Sequence, residues 1–113
     1  MMARLMGLKT ISPGDLHDLV REKQVCVIDV NSTQSWSESH VPGAIHLDPV
    51  RFDPSQLPAD KSLPIVFYCS NTWCRKAPNA ARRAGDFGYA NVRVMPAGIS
   101  GWLGAGLPVE RTR

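Results

Sequence analysis

Two apolar runs constrain this chain more than any other feature. Residues 24–30, QVCVIDV, and residues 64–69, PIVFYC, are rich in β-branched side chains and show no polar alternation. A strand wetted on one side alternates, whereas an unbroken run reads as a strand covered on both faces, the mark of a parallel sheet between helices. The first run carries Asp29 at its carboxyl end and the second carries Cys69. In open α/β sheets ligands bind beyond the carboxyl ends of the strands. Parallel strands would bring Asp29 and Cys69 to the same rim.

The intervening segments alternate with these strands as helices should. In TISPGDLHDLVREK, Ser12 suits an N-cap and Pro13 the first helical position, with Leu16, Leu19 and Val20 at helical spacing. NSTQSWSESHVPGAIHLDPV supplies a short polar helix, a VPG turn and a small strand at AIHL. RFDPSQLPADKSLP, with three prolines, reads as loop with short turns at most. APNAARRAGDFGYA reads as a helix that tolerates Pro78 near its start and stops around Gly85 to Gly88. NVRVM is a further strand and GISGWLGAG a last short helix, with Trp102 in the core. At 113 residues this is one domain, 1–113, of the α/β class, with disorder expected only at MMAR and RTR.

Bulk properties exclude several functions. The net charge of +3 lacks the basic, aromatic-interleaved stripe that nucleic-acid binding needs. No apolar run reaches the roughly 18 residues of a membrane span. The N-terminal stretch MMARLMGLKT has no continuous apolar segment of the signal-peptide kind, so the NST at Asn31 reads as a chance sequon. Three cysteines, an odd number, point to reduced thiols and a cytoplasmic location. No long apolar seam is left over, so a monomer is the default expectation.

The stretch YCSNTWCR, residues 68–75, is where chemistry is expected. Cys69 leaves a strand and leads through a short loop into a helix starting near Arg75 or Lys76. Such a helix start offers free N–H groups and about half a positive charge. Cysteines in these settings titrate at roughly 3.5–7.5 instead of about 8.5, so a thiolate facing an anion cradle is expected. Its substrates would be small, anionic and electrophilic at sulfur, phosphorus or arsenic. Arg75 fits an anion-binding role, since a cation at a helix N-terminus calls for a compensating anion. Cys26, inside VCVID, reads as inert core.

Three readings of Cys74 stay open: an ordinary loop position, a resolving thiol that closes on Cys69, or a metal ligand. Zinc would need further ligands, and His17, His40 and His46 form no convergent set in the sequence, so no metal and no cofactor is expected. Arg82 and Arg83 read as plain surface, and His40 as support for the VPG turn. Asp29 reads as a structural hydrogen-bonding group beneath the loop. Trp73 is either a pocket wall or a partner surface.

These residues resemble the rhodanese family. VIDVNSTQSWSESHVPGAIHLDP resembles its strand ending Asp-Val, polar helix and His-x-Pro-Gly-Ala turn. FYCSNTWCRKAPNAA resembles its active-site loop, and GYANVRVMPAGISGWLGAGLPVE its closing segment. The resemblance spans residues 8–110. It implies a three-layer rhodanese-like fold, a mainly parallel five-stranded sheet with helices on both faces. It also implies a sulfurtransferase in which Cys69 takes sulfane sulfur from thiosulfate or a persulfide donor. The sulfur would pass to cyanide, a thiol or a sulfur-accepting protein. The loop Ser70, Asn71, Thr72, Trp73, Cys74 and Arg75 would cradle the anionic sulfur. Many members have Gly in the loop and Arg at the fifth position after the cysteine; here the fifth is Cys74 and Arg75 is sixth. Cys-x5-Arg also occurs in rhodanese-related arsenate reductases and phosphatases, one alternative; a redox or sulfur-carrier module using Cys69 and Cys74 is another. Asn31 stands where Arg often follows Asp-Val.

Overall fold

Local signals in the sequence set the elements. In the structure, a computed structural model that describes residues 7–112, helix α1 (Pro13–Arg21) starts at Ser12, whose hydroxyl accepts from the Asp15 amide at 3.1 Å. Strand β1 (Cys26–Asp29) follows, then α2 (Thr33–Glu38), capped in the same way by Ser32. Beyond the VPG turn come the two-residue β2 (Ile45–His46) and a 3-10 turn at Pro54–Gln56. Strand β3 (Ile65–Tyr68), α3 (Lys76–Asp86), β4 (Val92–Val94) and α4 (Gly98–Gly104) complete the order.

The strands form one parallel sheet in the order β2-β1-β3-β4, with Ile28 opposite both Ile45 and Phe67. Successive residues of the central strands point to opposite faces, so each apolar run feeds two cores. Ile28, Phe67 and Cys69 pack with Ala77, Ala80, Ala81 and Ala84 of α3. Val27, Val66 and Tyr68 pack on the other face with Leu16 of α1 and with Ile99 and Trp102 of α4. This is the three-layer α/β arrangement. The small alanine face of α3 lets that helix lie close against β3 and β4, where Cys69 emerges.

Two expectations need correction. The resemblance implies five strands; the described residues form four. The fifth is reduced to a single parallel bridge, Thr10 to Val94, held by Val94 N donating to Lys9 O and Ile11 N to Val94 O, each at 2.9 Å. Ser12 and Pro13 then turn the chain into α1, and proline has no N–H with which to extend a ladder. Arg83 is not plain surface. Its guanidinium donates twice to the Phe52 carbonyl, at 3.0 and 2.9 Å, and stacks over the Phe52 and Phe87 rings. It pins the proline-rich loop to α3.

At the C-terminus, His40 and Glu110 exchange backbone hydrogen bonds, and Thr112 N donates to Ser37 O. Of the termini expected to be disordered, residues 1–4 and Arg113 lie outside the described residues, as does most of the stretch read for a leader. Among the described residues, no helix is long and apolar enough to cross a membrane.

Candidate active site

Cys69 directly follows β3, and its side chain lies on the α3 face of the sheet with only 3% of its surface exposed. The chain then turns sharply. Asn71 accepts the Trp73 amide on its side chain at 3.0 Å, and Cys74 N donates to Asn71 O at 3.2 Å. Helix α3 begins at Lys76 with Arg75 as a cap residue that offers no side-chain hydrogen bond. The amides that a Ser or Asp cap would have taken are turned to sulfur instead. The Ala77 and Ser70 amides hydrogen-bond Cys69, and the Lys76 and Ser70 amides hydrogen-bond Cys74.

The two cysteines face each other. Both line a cavity of about 10 Å³, together with Asn71, Thr72, Met95 and Pro96. That is the room of about one water molecule. The two sulfurs are close enough that each shifts the other's ionisation, Cys74 raising Cys69 and Cys69 lowering Cys74. Thr72 and Pro96 also line a larger cleft of about 280 Å³ with Ile11 and Ala97, so the small cavity adjoins an opening wide enough for a small anion.

The expected electrostatics are reversed between the two sulfurs. Burial dominates at Cys69 and, with the hydrogen bond to Cys74, pushes its thiol up to about 12; the Ala77 and Ser70 amides pull it down but lose. The expectation that helix-start amides would ionise Cys69 in the resting protein is overturned, because desolvation of a nearly enclosed sulfur outweighs two amide dipoles. Burial opposes ionisation at Cys74 as well, yet less of it is covered. The Cys69 thiol and the Lys76 and Ser70 hydrogen bonds win there, and its thiol falls below the ordinary value. Of the two thiols, Cys74 gives up its proton more readily.

The remaining candidates are dispersed. Ser70 contributes backbone to the loop, and Asn71 shapes its turn. Trp73 is 71% exposed at the tip, and Arg75 is also exposed; neither lines the small cavity. Asp29 lies on the opposite face of the sheet from Cys69. Its fully buried carboxylate accepts from the Tyr68 hydroxyl at 2.5 Å and the Asn31 amide at 2.7 Å, and the Tyr68 oxygen accepts from Val41 N at 3.1 Å. Burial raises its carboxyl above the usual range despite these bonds. Asp29 thus holds the VPG turn, not the cysteine loop. His40 bonds the Trp36 carbonyl through Nδ1 at 2.8 Å, and His46 bonds Asn31 O at 2.7 Å, with Trp36 stacked on both rings. Cys26 sits half-buried in β1, its thiol pushed up by burial.

Sequence reasoning missed two residues. Tyr68 has no role of its own in the sequence reading, although a tyrosine inside an unbroken apolar run needs a partner for its hydroxyl. Gly98, at φ +63°, starts α4 against the loop: a Cβ there would lie 2.6 Å from the Ser70 carbonyl and 2.7 Å from Cys69 O. This close approach lets Ile99 N and Ser100 N donate to Cys69 O and Ser70 O at 2.9 and 3.0 Å. The glycine before ISGW was its only visible signal.

A parallel sheet with helices on both faces, and a cysteine where a central strand meets the start of a helix, define an α/β domain. The chain belongs to the rhodanese-like domain family, whose pattern matches residues 12–105. It is 29% identical over 104 residues to the uncharacterized protein slr1261 of Synechocystis sp., covering 92% of this chain and 57% of that protein. It is also 29% identical over 107 residues to the thiosulfate sulfurtransferase GlpE of Haemophilus influenzae, covering 95% of this chain and 99% of GlpE. The crystal structure of the BH2092 protein from Bacillus halodurans superposes with a TM-score of 0.84 at 24% identity, over 98% of this chain and 81% of that one. The chain thus spans little more than half of one relative and nearly all of another.

Proposed function

We propose that the chain is a sulfurtransferase that carries sulfane sulfur on Cys69. The observation that carries this reading is the small cavity beside a buried cysteine at a helix start. It has room for about one added sulfur atom. With Arg75 exposed and outside the cavity, the Cys-x5-Arg spacing gains no support for oxyanion chemistry. The likeness to GlpE over nearly its full length points the same way.

In this reading thiosulfate, or another small anionic persulfide donor, enters through the cleft beside Thr72 and Pro96. The Cys69 proton passes to the neighbouring Cys74 when that thiol is ionised, and the freed Cys69 thiolate attacks the outer sulfur of thiosulfate. A sulfur–sulfur bond forms at Cys69, the bond inside thiosulfate breaks, and its electron pair leaves with sulfite. The persulfide anion then rests on the Ala77 and Ser70 amides, which suit an anion more than a neutral thiol. Cyanide, a small thiol or a partner protein's thiol takes the outer sulfur.

The test is thiocyanate formation from thiosulfate and cyanide, with sulfite release followed separately. Both should appear in the parent chain and fall to background in Cys69→Ser. Equal sulfite release by Cys69→Ser, or turnover of arsenate or phenyl phosphate in place of thiosulfate, overturns the reading.

A further inference from the structure

The second thiol of the loop has no task in a simple transfer cycle beyond holding a proton, yet it is placed for more. Cys69 and Cys74 line the same small cavity at the start of α3, close enough to shift each other's ionisation. Cys69 is almost wholly enclosed, whereas Cys74 is half-exposed at the loop surface. An external acceptor must reach past the loop to the sulfur on Cys69, while Cys74 is already beside it. Cys26, the third thiol, lies in β1 beneath the sheet's hydrophobic packing and has no part in this geometry.

Resting on the sulfurtransferase reading above, we propose that Cys74 ends the cycle within the chain, making it a thiosulfate reductase that releases hydrosulfide at the expense of a dithiol. After sulfite has left, the persulfide anion on Cys69 faces the Cys74 thiol. The proton returns from Cys74 to the outer sulfur. The Cys74 thiolate attacks the Cys69 sulfur, its nearest neighbour, and a Cys69–Cys74 disulfide forms. The persulfide bond breaks, and its electron pair leaves with the outer sulfur as hydrosulfide, which keeps the proton. Both cysteine sulfurs are oxidised and the sulfane sulfur is reduced. A dithiol of low molecular weight or on a partner protein then reduces the disulfide, attacking first at Cys74, the more accessible of the two. One thiosulfate and one dithiol give one sulfite, one hydrosulfide and one oxidised dithiol, with one proton released.

The loop suits the disulfide. Both side chains line the same small cavity five residues apart, and a bridge needs its Cα atoms only within about 4.4–6.8 Å. The bridge also stands at the start of α3, where an external thiolate can approach the outer sulfur of the pair.

The experiment is a single turnover of the reduced full-length chain with thiosulfate and no acceptor. Sulfite and hydrosulfide are quantified, the intact mass is recorded, and disulfides are mapped on peptides. The parent chain and Cys26→Ala should release sulfite and hydrosulfide in equal amounts and end two hydrogens lighter, with Cys69 bridged to Cys74. Cys74→Ser and Cys74→Ala lose the acceptor of the Cys69 proton and should release sulfite more slowly, yet in a prolonged incubation they should release it without hydrosulfide and end one sulfur heavier. With dithiothreitol added, continuous hydrosulfide release should persist in the parent and drop at least tenfold in both Cys74 variants. A parent chain that keeps its added sulfur with both remaining thiols free overturns the inference and leaves the transfer reading standing. Failure of the parent and both Cys74 variants to release sulfite overturns the transfer reading and this inference together.

Discussion

Asp29 and Cys69 stand at the carboxyl ends of neighbouring strands, yet the protein uses them in opposite ways. Asp29 pairs across the sheet with Tyr68, so Cys69 is one residue further along and points to the other face. Asp29 meets a hydroxyl and an amide, and its charge is spent on holding the VPG turn through Tyr68 and Val41. Cys69 meets a second thiol, two amides and a void. Burial pushes both groups toward their protonated forms. The difference is that Asp29's partners are fixed strand and turn groups, while Cys69's partner is a movable proton acceptor. A strand end becomes reactive when its neighbours leave a bond unmade.

The largest effect that could break this comparison is in the titration of the two thiols. Cys69 is raised to about 12 by burial and the Cys74 hydrogen bond, and Cys74 is lowered. Alkylation followed by peptide mapping near neutral pH should therefore modify Cys74 more than about a hundredfold faster than Cys69. The folded state holds the Cys69 proton more tightly than the unfolded chain does. Its contribution to stability is thus full below the ordinary thiol value and is lost as pH rises toward about 12. Two thiols reacting at equal rates would mean that the loop opens and Cys69 is as wet as any peptide thiol.

Next in size is Gly98→Ala. A Cβ 2.6 Å from the Ser70 carbonyl, on a backbone at φ +63°, forces α4 away from the loop. Strain and overpacking together should cost about 3 kcal/mol in denaturant unfolding. Sulfite release per folded chain should fall as well, because Ile99 and Ser100 no longer hold Cys69 and Ser70. A stable, fully active variant would show that the loop keeps its shape unaided.

Asp29→Ala is the smallest of the three. It leaves the buried Tyr68 hydroxyl without its acceptor, and should cost about 2 kcal/mol. Sulfite release per folded chain should change less than in Gly98→Ala. A greater loss would place Asp29 in the service of the loop and erase the contrast between the two faces.

Much of the fold was legible because its signals are local. The apolar runs, the Ser12 cap and the helical spacing of Leu16, Leu19 and Val20 each act within a few residues, where pattern and propensity decide. The fifth strand was expected from resemblance and shrank to the Thr10 bridge, since Pro13 follows too soon for a ladder. Arg83 was misread for a related reason: its partner, the Phe52 carbonyl, is 31 residues away and carries no side-chain signal. At the site, Cys69 and the uncapped helix behind it were visible. The reversed ionisation was not, since helix-start dipoles can be read from order but the depth of burial cannot.

The sequence by itself determined a parallel α/β sheet with a cysteine at the mouth of a central strand, because strand periodicity and helix capping are written in neighbouring residues. Only the tertiary structure decided which sulfur holds the proton, how small a space lies between the two thiols, and that Asp29 faces away from both. Those depend on solvent exclusion and on contacts such as Gly98 with Ser70, made by residues far apart along the chain.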